Sequence, residues 1–146
     1  MGASISRGLR NRNPGNIRHS SSRFKGEVES CSDASFKQFR ETAWGYRAMF
    51  VILNTYSSKY GLTTIRQMIE RWAPPSENHT ETYIKQVSRL AMLDADTPID
   101  TRQRVAMIPM VAAMSKVENG EAAHWATVER GWELFVGDQI DLLATH

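Results

Sequence analysis

The sequence is poor in residues that bind metals. It contains one cysteine, Cys31, and four scattered histidines among 146 residues. One thiol cannot form an internal disulfide or a zinc site, and the histidines lack the paired spacing of metal ligands. A glycine-rich phosphate loop is missing too. We therefore expect no metal and no cofactor, and we do not favour Cys31 as a nucleophile because no base stands near it in the sequence.

Long apolar runs are also missing. The longest one, residues 48–53, is far shorter than the roughly 20 residues that a membrane-spanning helix needs. The opening residues are polar and charged, so we expect no secretory signal peptide. Hydrophobic residues still make up 41% of the chain and charged residues 23%, which is typical of a globular protein. The length predicts one domain over residues 1–146.

Acidic side chains are scarce in the first quarter of the chain. Residues 1–40 contain eight basic and three acidic side chains, whereas residues 41–146 contain ten and thirteen. A basic segment can bind a polyanion such as nucleic acid or a cell-wall polymer. No DNA-binding motif accompanies the basic residues, so nucleic acid is the least favoured partner.

Residues 1–40 are polar, and Asn-Pro-Gly-Asn at residues 13–16 is the strongest turn signal. They predict an irregular or hairpin-like segment. Residues 41–146 predict a helical body, because apolar residues recur there at helical spacing. The expected helices run from Thr42 to a stop at Gly61, from Thr63 to Trp72, from about residue 78 to 92 and from 102 to 117. The expected fold is mostly α, with α+β left open.

Two places in the helical body are harder to interpret. Pro109 predicts a kink or a new helix start within residues 102–117. Residues 121–143 predict one or two helices, broken near Gly131 or Gly137.

Glu118 is the most informative carboxylate. It follows an apolar helical stretch and precedes Asn119 and Gly120, which predict the helix end. The helix dipole favours cations at that end, so a carboxylate there is poorly placed for stability. Burial against Met114 and Val117 would favour the protonated carboxyl group, which is the form that a general acid needs. The alternative is a surface glutamate followed by an Asn-Gly turn.

Several short sequence motifs resemble those of a known protein family. They are Asn-Pro-Gly-Asn-Ile-Arg at residues 13–18, Phe-Lys-Gly at 24–26, Phe-Lys-Gln-Phe at 36–39, Trp-Ala-Pro-Pro-Ser-Glu-Asn at 72–78 and Glu-Asn-Gly at 118–120. Together they resemble a family of small phage and prophage virion proteins of structural or lysozyme-like type. The resemblance implies assembly in the host cytoplasm, location in the virion, contacts with other virion proteins and action at the cell wall or periplasm.

A second resemblance suggests the chemistry. Glucosaminidases and related lysozyme-fold enzymes have a helix that ends in a catalytic glutamate, followed by an asparagine-rich turn. Here the turn at residues 13–18 precedes the helix that ends at Glu118, so the resemblance implies a circularly permuted lysozyme-like domain. It follows that residues 13–18 should pack against the end of that helix.

This resemblance implies a glycosidase that cleaves peptidoglycan glycan strands: a muramidase, a glucosaminidase or a lytic transglycosylase. Glu118 would be the general acid, with Glu27 or Glu29 as a second carboxylate. Without a second carboxylate, the 6-hydroxyl of the sugar can replace water. Residues that could bind the glycan are Asn13, Asn16, Arg18, Trp44, Tyr46 and Tyr83.

Three alternatives stay open at this point. The protein could be a virion structural or wall-binding protein that does not cleave its ligand. Glu77 looks catalytic, but its position at a helix start favours a structural cap. Trp72 could contact sugar, but its helical spacing predicts a largely buried side chain beside the Pro74-Pro75 turn.

Overall fold

The computed structural model describes residues 5–75 and 79–144, and the side chains of these residues up to Asp138. Glu77 lies outside the described residues. The described part is mostly helical, as the sequence predicts. Its helices are α1 (Arg7–Arg10), α2 (Thr42–Tyr60), α3 (Ile65–Trp72), α4 (Thr80–Ala91), α5 (Arg104–Asn119) and α6 (Trp125–Ala144).

Specific capping interactions form the helix ends that the sequence predicts. Gly61 ends α2 in the left-handed conformation, with φ 68°, and its N–H donates to the Ser57 carbonyl. Thr64 begins α3 with a capping box, in which its hydroxyl accepts from the Gln67 N–H and the Gln67 side chain accepts from the Thr64 N–H. The helix therefore begins one residue later than a cap at Thr63 predicts.

The last two helices decide between the alternatives that the sequence leaves open. Pro109 does not begin a new helix but lies inside α5, which continues to Asn119 and ends at Gly120, with φ 75°. The expected break near Gly131 or Gly137 is wrong, because residues 125–144 form one helix, α6. Gly131 instead lets α6 approach α2 closely, since a Cβ there would collide with the Cβ of Tyr46 and the carbonyl of Ala43.

α2 is the centre of the core. It packs against α6 on one side and α5 on another, while α4 packs against α3 and α5. Phe50 of α2 meets two aromatic rings of α6, with ring centroids 5.0 Å from Trp132 and 6.1 Å from Phe135. Methionine and aliphatic side chains fill the remaining space, among them Met49, Leu53, Met68, Ile69, Ile84, Met107 and Met110. No helix in the described residues is long and apolar enough to cross a membrane.

The segment before α2 is held mainly by polar groups. Two isolated antiparallel bridges, Arg18 with Phe36 and Glu27 with Phe39, are its only sheet-like pairings within the described residues. Fully buried Asn13 donates to the carbonyls of Ile17 and Lys37 at 2.9 Å and accepts from the Ile17 N–H. We call residues 5–41 the N-terminal loop region and residues 42–144 the helical body.

Candidate active site

Glu118 lies in the last turn of α5, where the helical body meets the N-terminal loop region. Met114, one turn earlier, is buried, and Val117 is half-buried. Glu118 itself is half-buried. The apolar residues of α5 are buried in the core. The helix ends at Gly120 in the left-handed conformation, so Glu118 in the last turn lies at the edge of the core.

Three donors from three parts of the chain hold this carboxylate. Asn16 Nδ2 donates to one carboxylate oxygen at 3.0 Å. Tyr83 Oη donates to the other at 2.8 Å, and Trp72 Nε1 lies 3.4 Å from that same oxygen. Asn16 comes from the N-terminal loop region, Trp72 from the end of α3 and Tyr83 from the first turn of α4. Both oxygens of Glu118 are therefore fixed in direction.

Tyr83 is buried and keeps its proton. Burial raises the pKa of the Tyr83 phenol well above its usual range, and the neighbouring Glu118 carboxylate raises it further. The neutral hydroxyl is therefore available as a donor to Glu118.

Asn119 ties the end of α5 to the N-terminal loop region. Its Nδ2 donates to the carbonyl of Pro14 at 2.8 Å, and its Oδ1 accepts from Ser6 Oγ at 2.7 Å. Gly15 lies against the Trp72 ring, where a Cβ would approach Cζ2 to 2.8 Å. The prediction that residues 13–18 pack against the end of the Glu118 helix is confirmed.

A cavity of about 390 Å³ opens beside Glu118. Ile52 and Tyr56 of α2 form part of it, and Glu118 is the only carboxylate among its described lining residues. A smaller hollow of about 270 Å³ touches the other side of Glu118 and Tyr83. The remaining residues that line the larger cavity come from both regions: Gly15, Asn16, Ile17, Arg18, Phe36, Trp72, Ala73 and Pro74.

The predicted binding residues fall into two groups. Asn16 and Tyr83 contact Glu118, and Arg18 lines the same cavity. The other three do not line this cavity. Asn13 is buried in the loop, Tyr46 is buried with its hydroxyl 2.9 Å from Ser115 Oγ, and Trp44 packs on Gly26.

The structure does not bring the other two predicted carboxylates to Glu118. Glu27 is buried and accepts from buried Lys37 Nζ at 3.0 Å and from the Phe24 N–H at 3.1 Å. Glu29 is exposed, and both residues line a separate hollow. An internal ion pair therefore occupies Glu27, which makes it part of the loop's interior rather than of the Glu118 cavity.

Trp72 packs against the core and also lines the cavity. Most of its side chain is buried, as the helical spacing predicts, and the exposed remainder forms part of the cavity wall.

Comparison with known proteins places the chain in a family. No protein-family model matches it. Protein P5 of Pseudoalteromonas phage PM2 is 37% identical over 131 residues, which cover 87% of this chain and 80% of P5. The chain belongs to the family of phage protein P5. The name P5 denotes a phage protein and specifies no reaction, so the chemistry has to be argued from the site.

Two further features of this P5-family chain bear on its chemistry. The described residues contain no group of three metal-binding side chains. Cys31 Sγ lies 3.7 Å from His19 Nε2, but that nitrogen is 2.7 Å from the Asp33 carbonyl. A carbonyl only accepts, so Nε2 must carry the hydrogen and cannot serve as a base for the thiol.

Proposed function

We propose that this P5-family protein is a virion-associated glycosidase that cleaves the glycan strands of peptidoglycan, with Glu118 as its general acid. One observation carries the proposal: a single carboxylate, oriented by Asn16, Tyr83 and Trp72, faces a cavity large enough for a sugar ring. A helix that ends in this carboxylate against an asparagine-rich turn supports a permuted lysozyme-like arrangement.

The chemistry begins with proton transfer from Glu118 to the glycosidic oxygen. The bond between that oxygen and the anomeric carbon breaks, and positive charge develops on the sugar ring. A glycan bound over the opening excludes water from the site during the transfer.

A single carboxylate favours intramolecular capture of the cleaved sugar. Two-carboxylate glycosidases place the second acid within about 5–10 Å of the first, on the opposite side of the scissile bond. Because the described cavity holds only Glu118, we assign the attack to the sugar's own 6-hydroxyl. Its oxygen bonds to the anomeric carbon and its proton passes to Glu118, so a 1,6-anhydro sugar forms and no water is consumed.

The cavity walls suit a sugar ring. The half-buried faces of Trp72 and Tyr56 offer apolar surface for the ring, and Asn16 and Arg18 offer polar groups at its edge. Membership of the P5 family supports delivery with a phage particle, whose contacts with other virion proteins would bring the enzyme to the cell wall.

The test is the turnover of purified peptidoglycan by Glu118→Gln. Glutamine keeps the shape but has no proton to transfer, so turnover should fall by at least about 10²-fold. Glu121→Gln is the matched control, because Glu121 is exposed three residues further on and lines a different hollow. It should retain wild-type turnover. Full activity of Glu118→Gln would reject the assignment.

One observation favours a second candidate, a virion protein that keeps the fold without cleaving glycan. The same three hydrogen bonds that orient Glu118 also link the N-terminal loop region, α3 and α4. If that link is the purpose of Glu118, the wild type will not clear peptidoglycan under conditions where a control lysozyme does. Glu118→Gln will then lower the melting temperature by several degrees.

A further inference from the structure

Two arginines stand at the Glu118 cavity: Arg18 lines it, and Arg71 stacks on Tyr56, which lines it. Arg18 lines it from the N-terminal loop region, and its guanidinium lies 5.1 Å from the centroid of the Phe36 ring, which also lines the cavity. Arg71 comes from the last turn of α3. Its guanidinium lies 3.9 Å from the Tyr60 ring and 5.4 Å from the ring of Tyr56, another lining residue.

Neither arginine pairs with a carboxylate among the described residues. Other arginines of the helical body do: Arg66 contacts Glu81 and Asp96, and Arg47 contacts Asp138. Arg18 and Arg71 are exposed and are held by aromatic rings instead. Among the described residues, both positive charges are therefore left to an external anion.

Stacking of this kind prepares a guanidinium for an anion. The ring holds the plane of the guanidinium, and the N–H edge of a guanidinium matches a carboxylate in a bidentate geometry. Arg18 in the cavity lining and Arg71 beside Tyr56 would contact carboxylates on the sugars next to the one bound at Glu118.

We propose that Arg18 and Arg71 select a glycan whose sugar units carry carboxylates over a neutral glycan of the same length. This inference rests on the proposed function, because it takes the ligand to be peptidoglycan. In that polymer, alternate sugars bear a lactyl ether and a peptide with free carboxylates. A chitin-type chain of N-acetylglucosamine offers the same ring surfaces without the charge.

Binding to the Glu118→Gln protein tests the inference without catalysis. The probes are a purified muropeptide oligosaccharide and an N-acetylglucosamine oligomer of equal length, with affinity followed by calorimetry at low salt. Arg18→Gln and Arg71→Gln in this background should each weaken muropeptide binding about tenfold, and each should weaken binding of the neutral oligomer much less. Arg71→Lys should retain part of the affinity, because it keeps the charge and loses the planar contact. Arg102→Gln, which alters an exposed arginine paired with Asp100, is the control and should change neither affinity.

The outcomes separate this inference from the proposed reaction. Equal affinity for the two glycans, or no effect of either substitution, would overturn the charge selection even if the wild type cleaves peptidoglycan. An inactive wild type that still prefers the muropeptide through both arginines would reject the reaction and support the selection. A DNA oligonucleotide that binds more tightly than the muropeptide, and loses that affinity in both variants, would overturn the assignment in favour of nucleic acid.

Discussion

The helical body and the N-terminal loop region are built on different interactions. Phe50 and its neighbours bury apolar rings and methionines in the body. The loop region buries Asn13, Lys37 and Glu27 instead and satisfies them with hydrogen bonds. Apolar packing tolerates small changes of angle, whereas a buried polar network requires each partner in place. The loop region is therefore the part that can position a polar group with precision.

The candidate site lies where these two regions meet. The body supplies Glu118, Trp72 and Tyr83, and the loop region supplies Asn16 and Arg18. We infer that apolar packing carries the fold and that Asn16 of the loop region sets the direction of one carboxylate oxygen, while Tyr83 and Trp72 of the body hold the other. The experiments below test this division.

The largest effect is expected from Phe50→Ala in the body. Phe50 is fully buried against Trp132 and Phe135, so its loss should lower the free energy of unfolding by about 3–5 kcal/mol. Urea denaturation measures it. Leu90→Ala is the control, because Leu90 is 40% exposed and its loss should cost much less. Equal losses would contradict the apolar account of the body.

A somewhat smaller loss is expected from Lys37→Met in the loop region. The substitution leaves Glu27 buried without its main partner, which should cost about 3 kcal/mol. The Phe24 N–H still contacts Glu27 and limits the loss. The double variant Lys37→Met, Glu27→Gln should recover part of the stability in the same urea experiment. If the double variant is as unstable as Lys37→Met, the lost stability does not come from the unpaired Glu27 carboxylate.

Asn16→Gly should change activity more than stability. Asn16 adopts a left-handed conformation with φ 50°, which glycine accepts, so the backbone keeps its path while Glu118 loses a donor. Turnover should fall about tenfold, equivalent to about 1.4 kcal/mol in the barrier. Arg12→Gly is the control, since Arg12 has φ 56° and does not contact Glu118. A fall in melting temperature that accounts for the lost turnover would contradict an orienting role.

The smallest effect is expected from Asp33→Asn on acid stability. Hydrogen bonds from the Arg7 guanidinium, Asn11 and two backbone N–H groups hold the pKa of Asp33 well below its usual range. A depressed pKa stabilises the fold above the pKa of the unfolded chain, about 3.9, and that contribution is lost as the pH falls. Between pH 5 and pH 2 the melting temperature of the wild type should therefore fall more steeply than that of Asp33→Asn. Parallel curves would show that Asp33 does not act through its charge.

The helical body could be predicted from sequence because its signals are local. Gly61 and Gly120 end their helices where the sequence places the stops. Gly131 gives the same local signal but serves the close packing of α6 on α2, which only the fold reveals. Helix α1 was not predicted, because its four residues are too few to show an apolar stripe at helical spacing.

The candidate site could be predicted in part. Glu118, Asn16 and Tyr83 stand far apart in the chain and meet in the structure, and the resemblance had singled out all three. From the sequence, Glu27 is an equally plausible second carboxylate. In the structure it is paired with buried Lys37 and lies outside the Glu118 cavity. Tertiary partners of this kind leave no local pattern.

The identity of the cleaved ends tests the central claim most directly. We claim that one carboxylate, Glu118, cleaves the glycan and that the sugar's own hydroxyl completes the reaction. Mass spectrometry of the wild-type digest in ¹⁸O-labelled water should show 1,6-anhydro ends that carry no label. Labelled reducing ends would contradict the claim, because water would then have attacked and a second group, such as Glu77, would have to activate it.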